Sequence, residues 1–307
     1  MRAAVIFGLG TSPKDLARFQ AGSRTEWIEG VPASSSDAEA ILIFGGDGTI
    51  HRHLPALVRL QLPVLVVPAG SGNDFARALK LRSVRDSLRA WREFESGKTQ
   101  PRKIDLGVIT PAAESERTHY FCCVAGFGLD SAAARRANQM PRWLRAHGGY
   151  ALGLLPVLFH LPAFSLRLTR LDSGVGEVED GEVREKVREK VHETEDDDAR
   201  GKLTLLAAFA NTQFYGDGMR IAPQADPCDG KLDICRIHTM SPFKLFYMFP
   251  TVYFGHHLRV SEVEYSQAGR VRVETKPPLE IYADGEFVCQ TPVEIAVAAG
   301  ALRVIAP

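Results

Sequence analysis

The sequence has no uninterrupted apolar run of the ~20 residues that a helix needs to cross a bilayer. Its most apolar later stretch, residues 150–164, is broken by Pro156, His160 and Pro162. The expectation there is a core-packed helix over about 150–160, with Leu152, Leu155, Leu158 and Phe159 on one face. Charge of one sign is also missing. Thirty-seven Lys and Arg balance 37 Asp and Glu, which argues against the basic surplus of a nucleic-acid-binding domain. Cysteine is scarce: Cys122, Cys123, Cys228, Cys235 and Cys289 form no CxxC pair, so neither a disulfide framework nor a zinc site is expected. No charged leader with a long apolar core precedes the strand-like Ala3-Ala4-Val5-Ile6-Phe7, and the expected location is the cytoplasm. What remains is a chain of 307 residues, 45% hydrophobic and 24% charged, enough for two ordinary globular domains.

The first hundred residues alternate short apolar runs with helical segments. Val5 to Phe7, Ile41 to Phe44 and Val64 to Val67 are continuous rather than alternating, as in parallel strands covered on both faces. Helices are expected over 13–19, 50–60, 75–79 and 84–95, the last with Leu88 and Trp91 inward. From Ile104 the pattern changes to strands at 103–109, 119–125, 164–170, 202–210, 232–237, 270–274, 279–282 and 293–298, with one more at 301–306. Few helices separate them, so an α/β domain over 1–102 and a β-sandwich over 103–299 are expected. Segment 172–201, with Glu193-Thr194-Glu195-Asp196-Asp197-Asp198, has too little apolar surface to order itself and is expected to be a mobile acidic insertion.

Two glycine-bearing turns close the first domain's strands: Gly45-Gly46-Asp47-Gly48-Thr49 and Pro68-Ala69-Gly70-Ser71-Gly72-Asn73-Asp74. Ligands of open α/β sheets bind beyond the strands' carboxyl ends, and glycine lets backbone N–H groups approach phosphate oxygens. Each turn leads into a helix whose N-terminus favours an anion. Asp47 is either a Mg²⁺ contact beside a nucleotide or a cap for the helix near Ile50; Thr49 and Ser71 offer hydroxyls to phosphate. Asn73 and Asp74 suit an N-cap. Asp105 lies on an expected strand, where a buried carboxylate needs a partner cation or metal.

These turns, together with Asp226-Pro227-Cys228-Asp229-Gly230-Lys231-Leu232-Asp233 and Ala283-Asp284-Gly285-Glu286, resemble the diacylglycerol kinase and sphingosine kinase family of lipid kinases, particularly its small soluble bacterial members. Weaker matches are Gly126-Phe127-Gly128-Leu129-Asp130 and residues 218–223. The resemblance implies an N-terminal nucleotide domain like that of NAD kinase and phosphofructokinase, a β-rich second domain, a cleft site between them, and a return of about 300–307 to the first domain. It implies ATP at Gly45, Gly46, Asp47, Gly48, Thr49, Gly70, Ser71, Gly72 and Asn73. Asp284 is the implied catalytic base, Glu286 shares that role or orients Mg²⁺, and Asp47 and Asp105 belong to a Mg²⁺-linked network reaching Asp284. Asp226, Asp229 and the backbone carbonyl of Lys231 match the family's structural Mg²⁺ site.

The family's Asn-Pro turn after the first strand is absent. Gly8-Leu9-Gly10-Thr11-Ser12-Pro13 stands there, with Thr11 as the nucleotide contact it offers, and this leaves nucleotide choice open. The activity implied is Mg²⁺-dependent transfer of the ATP γ-phosphate to a hydroxyl of a diacylglycerol- or sphingoid-type lipid. The alternatives are a kinase of another small molecule, as in NAD kinase relatives, or a catalytically weak lipid- or nucleotide-binding homologue. The expected partners are a lipid with a free hydroxyl and, transiently, the inner membrane surface, where Arg135, Arg136, Arg142 and Arg145 offer charge. Nucleic acid is not expected, and a homodimer is left open.

Overall fold

A computed structural model describes residues 1–129, 163–172 and 190–307. The helix expected over 150–160 and the four arginines at 135–145 lie outside the described residues. Strands β1 (Arg2–Phe7), β2 (Glu26–Glu29), β3 (Ala40–Gly45) and β4 (Val64–Pro68) run parallel in the order β2-β1-β3-β4. Every residue of β3 is buried, because helices cover both faces of the sheet, and that is why its sequence reads as unbroken apolar. Four helices belong to this unit: α1 (Pro13–Gln20), α2 (Asp47–Leu60), α3 (Asp74–Ala78) and α4 (Val84–Glu95). Ser83 starts α4 by accepting a hydrogen bond from the Asp86 N–H, and Trp91 and Ala90 face the core.

The second unit is a sandwich. One layer is antiparallel, in the order β12-β11-β10-β7-β14-β15, from β7 (Val124–Gly128), β10 (Thr204–Ala210), β11 (Leu232–His238), β12 (Val263–Ala268), β14 (Glu280–Ala283) and β15 (Glu286–Gln290). The opposing layer holds β5 (Arg102–Pro111), β6 (His119–Phe121), β8 (Ser165–Asp172), β9 (Lys190–Asp196), β13 (Arg270–Lys276) and β16 (Val293–Val304). Phe121, Phe127, Phe164, Phe209, Ile281 and Ile295 fill the space between them.

Strand β16 joins the two units. It pairs with β13 and β5 in the sandwich, shifts register between Ala298 and Leu302, and ends with Val304 beside Val64 of β4, where the Ile305 N–H donates to the Val64 carbonyl at 2.8 Å. The two strands expected at 293–298 and 301–306 are thus one. Gly300 sits in the register shift with φ of +60°, a backbone angle that glycine adopts without strain.

Part of the acidic segment is ordered. Residues 190–196 pair with β8 as β9, and Asp197 opens a short helix, α5 (Asp197–Arg200). Cations make this possible: Arg236 of β11 pairs with Glu195 at 2.6 Å and with Asp197, and Arg170 of β8 reaches Glu195 at 3.2 Å. The acids pay for burial with these partners, which a reading of apolar content alone misses. Among the described residues no helix is long and apolar enough to cross a membrane.

Candidate active site

The two glycine turns touch backbone to backbone. A Cβ on Gly46 would lie 2.8 Å from the Gly70 Cα, and one on Gly70 would lie 2.5 Å from the Gly46 Cα. Any side chain at either position must push the turns apart. Gly46→Ala is therefore expected to destabilise the protein by about 1–3 kcal/mol in urea unfolding and to weaken nucleotide binding; unchanged stability would show that the turns separate freely.

Asp47 stitches the turns together. As the first residue of α2, its carboxylate accepts the Asp74 and Phe75 N–H groups of α3, both at 3.0 Å. It therefore caps α3, not the helix it begins. Asn73 closes the second turn by donating to the Gly70 carbonyl and accepting from the Gly70 N–H at 2.8 Å, with its own backbone in the left-handed region at φ +54°. Ser71 is exposed at the turn's tip. Thr49 packs against Gly8 and Gly45, and the Thr11 hydroxyl donates to the Gly8 carbonyl at 2.8 Å. Thr11 thus holds the first turn's shape.

Asp74 does more than start a helix. Its buried carboxylate pairs with Arg77 and accepts the Asp217 and Gly218 N–H groups, both at 2.9 Å, so it fastens α3 to the loop after β10. Burial, then the Asp47 charge, push its pKa up to about 7 against the pull of Arg77. Burial likewise raises the Asp47 carboxyl, opposed by its two N–H donors.

From the sandwich side comes the turn between β14 and β15. Asp284 occupies the left-handed region at φ +51°, and its side chain is 0% exposed. Its Oδ1 accepts the Cys123 N–H at 2.8 Å and the Val124 N–H at 3.3 Å, while Oδ2 accepts the Cys122 N–H at 2.8 Å, the Cys122 thiol at 3.3 Å and His51 Nδ1 at 3.1 Å. The strand expected over 119–125 breaks into β6 and β7 here because these N–H groups turn to the carboxylate instead of a sheet partner. Burial opposes ionisation of Asp284, but the His51 hydrogen bond and charge and the N–H donors outweigh it and hold the carboxyl below its usual range. Burial raises both thiols, Cys123 to about 12, so the thiols of this Cys122, Cys123 and Asp284 group stay protonated and are neither nucleophiles nor ready metal ligands. Glu286 is exposed and reaches the first turn; its Oε1 lies 3.2 Å from where a Gly48 Cβ would be.

Asp105 is anchored by backbone groups, and the Asn211 amide bridges its carbonyl to that of Cys122. Its oxygens accept the Gly230 N–H at 2.8 Å and the Gly300 N–H at 2.7 Å, and its own N–H donates to the Pro227 carbonyl at 2.7 Å. Two backbone N–H donors thus partner the buried carboxylate, one from the turn before β11 and one from the register shift of β16. Asp226 and Asp229 each bond within their own turn, to the Cys228 and Lys231 N–H groups at 3.1 and 3.0 Å, and Lys231 is exposed.

His51 was not anticipated. It stands four residues after Asp47, on the same helix face, and that spacing was the one available signal. The role of the Cys122 and Cys123 N–H groups had none.

Family models agree with this architecture. Residues 17–109 match the diacylglycerol kinase catalytic domain, and residues 123–306 match the YegS C-terminal NAD kinase beta sandwich-like domain. A diacylglycerol kinase of Mycobacterium tuberculosis (strain ATCC 25618 / H37Rv) is 36% identical over 275 residues, which is 90% of this chain and 79% of the relative. One of Bacillus subtilis (strain 168) is 25% identical over 278 residues, 90% of this chain and 80% of the relative. Among solved structures, a diacylglycerol kinase from Bacillus anthracis str. Sterne superposes with a TM-score of 0.66 at 16% identity, covering 100% of this chain and 97% of the other. An NAD kinase from Archaeoglobus fulgidus in complex with ATP superposes with a TM-score of 0.51 at 14% identity, covering 99% and 92%.

Proposed function

Because the chain belongs to the diacylglycerol kinase family, phosphotransferases with an alcohol group as acceptor, we propose that it transfers the γ-phosphate of ATP, with Mg²⁺, to a hydroxyl of a diacylglycerol- or sphingoid-type lipid. One observation carries the reading: two abutting glycine turns at strand ends face an acidic turn brought from the opposite domain, with Glu286 over Gly48. Phosphoryl transfer asks the protein mainly to position reactants and offset charge. Backbone N–H groups of the two turns cradle the phosphates, and the turn Asp284-Gly285-Glu286 receives the acceptor hydroxyl.

The donor set suits Mg²⁺. Asp47 and Asp74 oxygens both border Gly72, at 3.2 and 3.7 Å from its absent Cβ, and hard cations take carboxylate oxygens together with phosphate. Asp47 is the residue we assign to hold the ion, which neutralises phosphate charge when bound. Asp105 links β5 to the register shift of β16 and to the turn before β11 through the Gly300 and Gly230 N–H groups.

The test is transfer of labelled phosphate from ATP to separate diacylglycerol, sphingoid and NAD acceptors. Label in a lipid product supports the reading; label in NAD alone, or none, overturns it. Calorimetry with Mg-ATP is expected to show at least ~10-fold weaker binding for Asp47→Ala, since that change frees two N–H groups of α3 as well as removing a carboxylate. Equal affinity would remove Asp47 from the nucleotide site.

A further inference from the structure

One short helix is apolar on both of its sides. Helix α6 (Pro242–Met248) and the 3₁₀ turns that follow it, Phe249–Phe254 and His256–Arg259, bury Leu245, Met248 and Val252 in the core and turn Phe243, Phe246, Tyr247 and Phe254 outward. Those four side chains are 80, 54, 76 and 69% exposed. A surface helix ordinarily carries one apolar stripe, the inward one. Phe243, Phe246 and Tyr247 stand at i, i+3 and i+4, so they form a second, and the Phe246 and Tyr247 rings meet edge to face at 5.9 Å. Of the described aromatic side chains this exposed, only Phe287 lies outside residues 243–254. A cluster of that kind marks a docking surface.

Its charge pattern indicates the partner. From Thr239 to Ser261 there is no Asp or Glu, in a chain that carries 37 of them, while Lys244, His256 and Arg259 are exposed there. Lys244 pairs with Glu262 at 2.5 Å, just past the segment's end, and Arg259 follows Phe254 by five residues. An aromatic, acid-free face with cations at its margin suits the headgroup region of an anionic bilayer, where rings enter the acyl boundary and Lys and Arg meet lipid phosphates. The position suits it as well. The Val252 carbonyl accepts the Arg220 N–H at 3.1 Å, and His257 Nε2 donates to the Ile221 carbonyl at 3.0 Å, which ties the segment to the loop after β10. That loop is the one Asp74 fastens to α3. Burial, then the charges of Asp217 and Asp74, raise the Tyr253 phenol, so this segment reaches the elements of the second glycine turn.

We propose that Phe243, Phe246, Tyr247 and Phe254 seat the protein on the surface of an anionic lipid bilayer. The choice of a bilayer rests on the lipid-kinase reading above: no helix among the described residues is long and apolar enough to cross a membrane, so an acceptor dissolved in one is met at its surface. Docking by this face removes from water the aromatic stripe that the fold leaves there, and it holds α3 and the second glycine turn at the interface.

Sedimentation with sucrose-loaded vesicles tests this, comparing phosphatidylcholine alone with phosphatidylcholine containing phosphatidylglycerol, for wild type and for the triple variant Phe243→Ser, Phe246→Ser and Tyr247→Ser. Wild type is expected to bind the phosphatidylglycerol vesicles at least ~10-fold more tightly than the triple variant, and its binding is expected to weaken as salt is raised. Because the three positions are exposed, the variant is expected to unfold at the same urea concentration as wild type. Its phosphorylation of a short-chain diacylglycerol kept below its micellar concentration is expected to stay within about twofold of wild type, while that of vesicle-borne diacylglycerol falls with binding. Phe243→Ser alone, at the most exposed of the positions, is expected to cost about threefold in vesicle binding. Equal binding by wild type and triple variant, or no vesicle binding by wild type, overturns the proposal. A wild type that self-associates in the ultracentrifuge through a contact the triple variant loses assigns the face to a second copy of the chain and overturns it too. Vesicle binding is read without ATP, so a wild type that binds vesicles yet phosphorylates no lipid overturns the kinase reading alone.

Discussion

Asp284→Ala is expected to unfold at markedly lower urea concentration than wild type, a loss of about 4 kcal/mol, and to lose about 10³-fold in phosphoryl transfer. The stability loss has separable sources. Three N–H groups, those of Cys122, Cys123 and Val124, lose their acceptor, and each such orphan costs about 1–3 kcal/mol where water cannot reach it. Alanine must also hold φ of +51°, at about 1 kcal/mol or more. Asparagine tolerates that angle and keeps one acceptor oxygen. Asp284→Asn should therefore recover at least half the stability while remaining nearly as inactive, since a neutral amide replaces the carboxylate of the turn that receives the acceptor hydroxyl. If both variants fold and turn over like wild type, the carboxylate is ornamental.

The same pair predicts a pH signature. The raised His51 pKa means that its contact with Asp284 stabilises fully below the unfolded value near 6.5 and fades as pH rises through the folded value. The lowered Asp284 pKa means the opposite for the acid: its contribution is present above the unfolded value of 3.8 and is lost as pH falls through the folded one. His53, His119 and His257 are lowered, chiefly by burial, and act against His51 near neutrality. The difference between wild type and His51→Asn isolates the effect, and it should shrink as pH rises from the unfolded value near 6.5 through the raised folded one.

Arg236→Met is expected to cost about 3–5 kcal/mol while leaving the catalytic turns intact. Arg236 is 1% exposed and holds Glu195 at 2.6 Å, Glu264 at 3.5 Å and Asp197. Methionine fills the volume but strands the acids. Among the described residues, Asp197 keeps the Thr204 hydroxyl at 2.7 Å and the Leu166 N–H at 3.2 Å. Adding Asp197→Asn should restore part of the loss, because the pair is coupled and removing one charge leaves the other uncompensated. Urea denaturation of the single and double variants decides it; additive effects would mean that the ion pair contributes nothing specific to anchoring β9.

Much of this architecture was legible in the sequence, and the reasons are local. Ile41 to Phe44 and Val64 to Val67 announced buried parallel strands because an unbroken apolar run survives only under two covers. The glycines at 46 and 70 marked tight turns, though not that the turns touch each other. The contacts that remained hidden depend on long-range placement. Asp105 looked like a charge in need of a cation, yet its partners are the N–H groups of Gly230 and Gly300, 125 and 195 residues away. Edge strand β2 and β12 carry half-exposed faces and gave little apolar pattern. Residues 190–197 read as solvated because their partner Arg236 stands on another strand. His51 carried its signal in plain spacing, but its meaning required Asp284, 233 residues later.

The most direct measurement is transfer of radiolabel from γ-labelled ATP to diacylglycerol in mixed micelles, with and without Mg²⁺, by wild type and Asp284→Asn. The account predicts an organic-soluble labelled phospholipid from wild type that depends on Mg²⁺ and falls by about 10³ in the variant. Label that stays on ATP or inorganic phosphate in wild type, or an equal yield of labelled lipid from Asp284→Asn, would contradict it.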